Sequence, residues 1–244
     1  MIRATSIPTL MHQLASEPGR PRLTWYEGDE RIELSGRVLD NWVTKTANLL
    51  VEEFDAGPDT RVLVDLGPHW RTVVWALATW RTGACVVLPV AGAARTAAPG
   101  CDVVVTSRPH RYDGVGELVA VPLPALDRSW DGPLHGAIDG AAAVMSHGDV
   151  LTWMPETDLA SAAVETDGTG ATFADLFDWA GPAQAGGRRL VTTRPDVPAP
   201  MLADVLGAYL ADGSAVVCGP TVSAALAADP ERTARLRDIE RITS

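Results

Sequence analysis

The chain has 244 residues, 46% of them hydrophobic and 21% charged, which excludes a disordered protein and leaves room for one large or two small globular domains. Acids outnumber bases by 31 to 20, so a net charge of -11 argues against nucleic acid or a membrane surface as partner. No apolar run reaches the ~20 residues of a membrane helix, residues 1–20 lack a signal peptide's apolar stretch, and three cysteines without C-x-x-C spacing exclude a disulfide scaffold.

A cytoplasmic protein is expected, with Cys85, Cys101 and Cys218 as small buried hydrophobes. In chain order, residues 23–34 predict a hairpin, because Leu23, Trp25, Ile32 and Leu34 alternate around a polar Glu27–Glu30 turn. A helix over about 36–52 follows, with Ser35 as cap and Leu39, Trp42, Val43, Thr46 and Leu50 on one stripe. Residues 61–66 predict a buried strand, 68–82 a helix ended by Gly83, and 84–90 a second strand. This βαβ unit implies parallel pairing. Residues 91–100 predict a loop, 102–106 and 118–121 short strands, and the Pro-, Gly- and Asp-rich residues 122–157 a linker.

The pattern then restarts. Residues 160–173 predict strand, turn and strand, followed by a short helix over 174–179, a strand over 189–193, a helix over 200–211 ended by Gly213, and a strand over 214–218. WALATWRTGACVVLP and VLGAYLADGSAVVCGP share one order: amphipathic helix, glycine, small residue, paired valines, closing proline. Asp229-Pro230 opens a last helix running to about residue 240. The expected fold is α/β, with two similar βαβ-containing halves and mainly parallel sheets, residues 1–157 forming the first and 158–244 the second.

Residues 34–90, from LSGRVLDNWVTKTANLL through RVLVDLGPHWRTVVWALATWRTGACVVLPV, resemble the start of the adenylate-forming (AMP-binding, acyl-CoA synthetase-like) enzymes. GCDVVVTS, ADVLGAYLADGSAVVCGP and DPERTARLRDIERIT continue the likeness, which corresponds to the N-terminal part of such an enzyme. The resemblance implies a Ser/Thr/Gly-rich phosphate loop, whose place is DLASAAVETDGTGATF at 158–173, with Thr166, Gly168, Thr169 and Gly170 as candidate nucleotide-binding residues. The family's Pro-Lys is missing there, and Asp167 stands where the triphosphate would sit. At about 4 Å two like charges repel by ~1 kcal/mol in water and several times that at a partly buried site. Asp167-Gly168 equally suits a tight type I′ hairpin turn, and the residues favour that turn.

The resemblance also implies an adenine and magnesium segment, a ribose aspartate and a lid lysine further along; none has a counterpart here, and Lys45, the only lysine, reads as solvated helix surface. A non-catalytic binding or interaction protein without cofactor is therefore expected, with an unidentified protein or a second copy as partner. The alternative is an ATP/AMP- or acyl-binding component, with magnesium, of a ligase acting with another chain. The composition, poor in lysine and rich in Ala, Arg, Gly and Pro, suggests a bacterial source.

Other patterns carry less. Gly114-Val115-Gly116 lacks a third glycine and a following helix. Ser146-His147-Gly148-Asp149 is too compact for a triad and reads as a surface loop. The five histidines form no metal-ligand pair, and His110 reads as a loop residue. Arg188-Arg189 reads as a solvated strand start. Trp70, Trp75 and Trp80, five apart, project in different directions and predict a helix buried on more than one side, with one or two of the eight tryptophans at an interface.

Overall fold

The computed structural model describes residues 4–89, 100–112, 114–124, 127–151, 153, 155–166, 169–181 and 186–244. The chain forms two compact units, one of residues 1–40, 68–70 and 177–244, the other of 41–67 and 71–176. The linear division expected at residue 157 does not follow these units, and the cause lies in strand pairing.

The larger unit is built on a seven-stranded sheet. β3 (Arg61–Asp65), α3 (Trp70–Arg81) and β4 (Cys85–Leu88) are the predicted βαβ unit, with Val62 opposite Val86 in parallel register. β5 (Val103–Thr106), β6 (Glu117–Ala120) and the two-residue β7 (Ile138–Asp139) extend the sheet beyond β3. β8 (Ala162–Thr166) joins β4 in parallel, and β9 (Thr169–Thr172) returns antiparallel to it. The strand order is β7-β6-β5-β3-β4-β8-β9. Valine-rich strands of this kind are covered on both faces, and Leu63, Val87, Val104, Tyr112 and Leu118 belong to one core cluster. Trp70, Trp75 and Trp80 are all buried, as their spacing predicts, and the Trp80 indole N–H donates to the Ala163 carbonyl at 2.7 Å. The helix that carries them closes on Gly83, whose φ of 82° suits a residue without a side chain.

The smaller unit holds a four-stranded sheet in the order β10-β11-β1-β2. β10 (Arg188–Thr192), α6 (Pro198–Leu210) and β11 (Ser214–Cys218) form the second βαβ unit, with Val191 opposite Val217. β1 (Pro21–Glu27) lies parallel to β11, and β2 (Glu30–Ser35) completes the predicted N-terminal hairpin. Each βαβ unit thus takes the hairpin that the linear reading gave to the other: β3-β4 is followed in space by β8-β9, and β10-β11 by β1-β2. The repeated order of elements is real, but the two hairpins are exchanged.

Three helices went unpredicted. α1 (Ile7–Ala15) carries a Ser6 N-cap with a capping box, a proline in its first turn, and Ile7, Leu10, Met11 and Leu14 buried at helical spacing. α4 (Gly140–Ser146) lies inside the stretch expected to be linker, and Asp139 caps it through the Ala141 and Ala142 amides. α7 (Pro220–Ala228) precedes the predicted last helix, α8 (Pro230–Glu240), whose Asp229 cap accepts from Arg232 N at 2.9 Å. The remaining helices are α2 (Gly36–Phe54) and the four-residue α5 (Leu176–Trp179). Gly213 does not supply the left-handed turn after α6; Asp212 does, at φ 55°, while a Cβ on Gly213 would stand 2.5 Å from the Gly187 carbonyl. Among the described residues no helix is long and apolar enough to cross a membrane.

Candidate functional site

In open parallel sheets ligands bind beyond the carboxyl ends of the strands, where neighbouring connections diverge. The larger unit has such a point between β3 and β5, since β3 connects towards β4 and β5 towards β6. Asp65, the last residue of β3, is buried there. Its carboxylate takes the Arg108 guanidinium at 2.9 Å, the Tyr112 hydroxyl at 3.0 Å and the Thr106 hydroxyl at 3.2 Å. Burial first, and then the Asp65 charge, push the Tyr112 hydroxyl well above its usual range, so it remains a donor. The carboxylate is satisfied from within the fold, which makes this crevice a structural tie between β3, β5 and the 3-10 turn Pro109–Arg111 that contains His110.

The second divergence lies at the end of β8, where the candidate nucleotide-binding residues fall. Thr166 is the last residue of β8, and Thr169 and Gly170 open β9. Thr166 pairs with Thr169 and Glu165 with Gly170 in the antiparallel ladder. Gly168, and the type I′ turn expected at Asp167-Gly168, lie outside the described residues. A Cβ on Gly170 would stand 2.6 Å from the Val164 carbonyl oxygen, so close strand approach is itself a reason for glycine here. Glu165 forms an ion pair with Arg61.

In the smaller unit the place corresponding to an anion site is the start of α7, beyond the end of β11. The Glu27 carboxylate from the hairpin occupies it, accepting from Thr221 N at 3.1 Å and Val222 N at 3.2 Å. A different carboxylate organises the face near the chain's end. Glu240 of α8 is buried and accepts hydrogen bonds from Tyr26, Arg31 and Arg188. Arg188 is thus a partner of Glu240, and Arg189 pairs with Asp204 at 2.6 Å, so neither is the solvated strand start expected.

Two further expectations change. Lys45 is half-buried and donates to the His147 carbonyl, while Asn48 donates to the carbonyls of Gly148 and Val150 at 2.9 and 3.0 Å. The loop after α4 is therefore tied to α2, with the His147 ring 3.1 Å from a Glu52 carboxylate oxygen. These residues are far apart in sequence and no motif announces them. The cysteines behave more simply. Cys85 and Cys218 are buried and Cys101 is half-buried. Burial is the largest influence in pushing the Cys85 and Cys218 thiols up to about 12, away from reactivity. Among the described residues no group of three or more His, Cys, Asp or Glu side chains is placed to hold a metal ion.

The fold is that of the N-terminal region of adenylate-forming acyl-CoA synthetases and ligases. The chain superposes on the fatty acyl-adenylate ligase from L. pneumophila, crystallised with acyl adenylate and pyrophosphate, with a TM-score of 0.68 at 12% identity, covering 98% of this chain and 44% of that one. For the Brucella canis acyl-CoA synthetase the values are 0.63 and 17%, over 86% of this chain and 43% of that one. For the Klebsiella oxytoca NpsA N-terminal subdomain, in complex with 3-hydroxybenzoyl-AMSN, they are 0.62 and 13%, over 88% and 54%. The chain thus spans about half the length of these structures.

No protein-family profile matches the sequence. It is, however, 35% identical over 193 residues to the TIGR03089 family protein of Mycobacterium tuberculosis (strain ATCC 25618 / H37Rv), covering 69% of this chain and 77% of that one. The chain belongs to the TIGR03089 family.

Proposed function

We propose that this chain is a non-catalytic binding or interaction module that uses an adenylate-forming scaffold without adenylating a substrate. The observation that carries this reading is the ladder between β8 and β9, which continues to the Thr166–Thr169 pair. A phosphate cradle needs several backbone N–H groups converging on the anion with a cation beside them. The segment at the end of β8 instead commits its backbone to a hairpin, with Glu165 beside it and Asp167 following in sequence. A magnesium triphosphate does not fit such a donor set, and no step of adenylation is assigned to these residues. Electrostatic stabilisation of a transferring phosphoryl group is the main service such enzymes provide, so a scaffold without it loses most of the rate.

ATP–pyrophosphate exchange by the isolated chain over a panel of carboxylic acids tests this reading. No exchange above background is expected, and robust exchange with any acid refutes it. A second reading, an ATP/AMP- or acyl-binding component acting with another chain, draws support from the structural likeness to a ligase that holds acyl adenylate. Thermal unfolding with ATP, AMP, magnesium and acyl-adenylate mimics separates the two. A ligand at a hundredfold above its Kd adds about 2.7 kcal/mol, a shift of several degrees, and the interaction-module reading expects none.

A further inference from the structure

The larger unit exposes an apolar set within a single short stretch of chain. Met145, Val150, Trp153 and Leu159 are 52%, 70%, 53% and 58% exposed, and they make up four of the six large hydrophobic side chains found exposed among the described residues. Isolated exposed hydrophobes are ordinary; four within fifteen positions, from the last turn of α4 to just before β8, are not. The backbone that carries Val150 is held in place. Buried Asn48 donates to the carbonyls of Gly148 and Val150, and Lys45 to that of His147. One end of the Trp153 indole lies 3.9 Å from where a Cβ on Gly57 would stand. Val150 is therefore presented from a tethered backbone, which lowers the ordering cost of binding there.

Charge indicates what covers them. From Ser129 to Gly187 the sequence has nine Asp and Glu and no Lys or Arg, which accounts for most of the net charge of -11. Asp149, Glu156 and Asp158 stand exposed among the apolar residues, and none forms an ion pair with an Arg or Lys among the described residues. Glu52 and Glu53, about half exposed, flank His147. A second copy meeting this surface isologously would set acidic rim against acidic rim, which is repulsive. A basic partner gains both the apolar contact and the charge complementarity.

We infer that the exposed side chains of Met145, Val150, Trp153 and Leu159, with Asp149, Glu156 and Asp158 among them, form a docking surface for a partner protein presenting a basic segment with apolar side chains. This rests on the interaction-module reading and names the surface that serves it. The probe is a fluorescently tagged amphipathic peptide of leucine and lysine, titrated by anisotropy against the full chain. A leucine and glutamate peptide is the control. Two double variants, Val150→Ser/Leu159→Ser and Asp149→Asn/Glu156→Gln, alter exposed side chains only, and their thermal unfolding reports retention of fold.

The parent chain is expected to bind the basic peptide, each double variant about tenfold more weakly. Raising salt from about 50 to about 500 mM should weaken binding to the parent further, because the rim charges are screened. The assignment is overturned by any of four results: no binding to the parent, equal binding of the acidic peptide, binding unchanged in both variants, or self-association of the parent that Val150→Ser/Leu159→Ser abolishes. None of these bears on adenylation. ATP–pyrophosphate exchange sinks the module reading by itself, so the two failures are distinguishable.

Discussion

Gly170→Ala distinguishes a strand from a phosphate loop. In the structure the added Cβ would stand 2.6 Å from the Val164 carbonyl oxygen, below the 3.0 Å that Cβ atoms in proteins essentially never breach. The obstacle is backbone, inside an antiparallel pair in which Val164 faces Ala171 and Glu165 faces Gly170. It cannot swing aside as a long side chain would, so the two strands must separate by several tenths of an ångström. Overpacking of this kind costs about 1–3 kcal/mol. For a chain of this size each kcal/mol lowers the unfolding midpoint by roughly 2–4 °C, so a fall of about 2–12 °C is expected. Gly19→Ala is the matched control, since nothing lies within 4 Å of a Cβ there. The assay is thermal unfolding followed by circular dichroism, with ATP–pyrophosphate exchange on the same samples. If Gly170→Ala unfolds within about 1 °C of Gly19→Ala, the close strand approach is absent and an open loop returns as the better description. If stability holds while an ATP-dependent activity of the parent is lost, the glycine serves a phosphate and the module reading fails.

Three other substitutions test the ties described above. Burial by itself pushes the Glu240 carboxyl up, but hydrogen bonds from Tyr26, Arg188 and Arg31 outweigh it and hold the group below the usual carboxylate range. Its stabilisation is therefore present above the unfolded value of ~4.3 and lost as pH falls through the lower folded value. Glu240→Gln should cost about 1–3 kcal/mol at pH 7 and flatten the acid limb of a urea-denaturation series; an unchanged pH slope contradicts the assignment. Glu27→Ala removes the carboxylate from the start of α7 and should cost roughly 0.5–2 kcal/mol, with faster amide exchange at Thr221 and Val222. Asn48→Ala leaves the Gly148 and Val150 carbonyls without their donor. A loss of about 1–2 kcal/mol is expected by denaturant titration, together with weaker binding of the basic peptide, and a variant equal to the parent in both would show that the tie is idle.

Local order was legible in the sequence because it depends on neighbours a few residues apart. Leu23, Trp25, Ile32 and Leu34 announce a hairpin by alternation, residues 68–82 a buried helix, which runs from Trp70 to Arg81, and Asp229-Pro230 a helix start. α1 is equally legible, through Ser6, its early proline and the Ile7, Leu10, Met11, Leu14 spacing. The adenylate-forming fold also followed from local likeness, since residues 34–90 carry it. Tertiary structure alone decided where each hairpin goes. Nothing within residues 21–35 states that β1 will lie beside β11, nor within 162–172 that β8 will lie beside β4, because an alternating strand can complete any sheet edge of matching polarity. The same holds for the polar ties. Lys45 reaches a carbonyl 102 positions away, and Glu240 gathers partners from β1, β2 and β10. A lone lysine and a terminal glutamate look like solvated charges in sequence. Their roles exist only once the chain has folded, because a charge finds its partners by distance in space, and composition and spacing along the chain do not contain that distance.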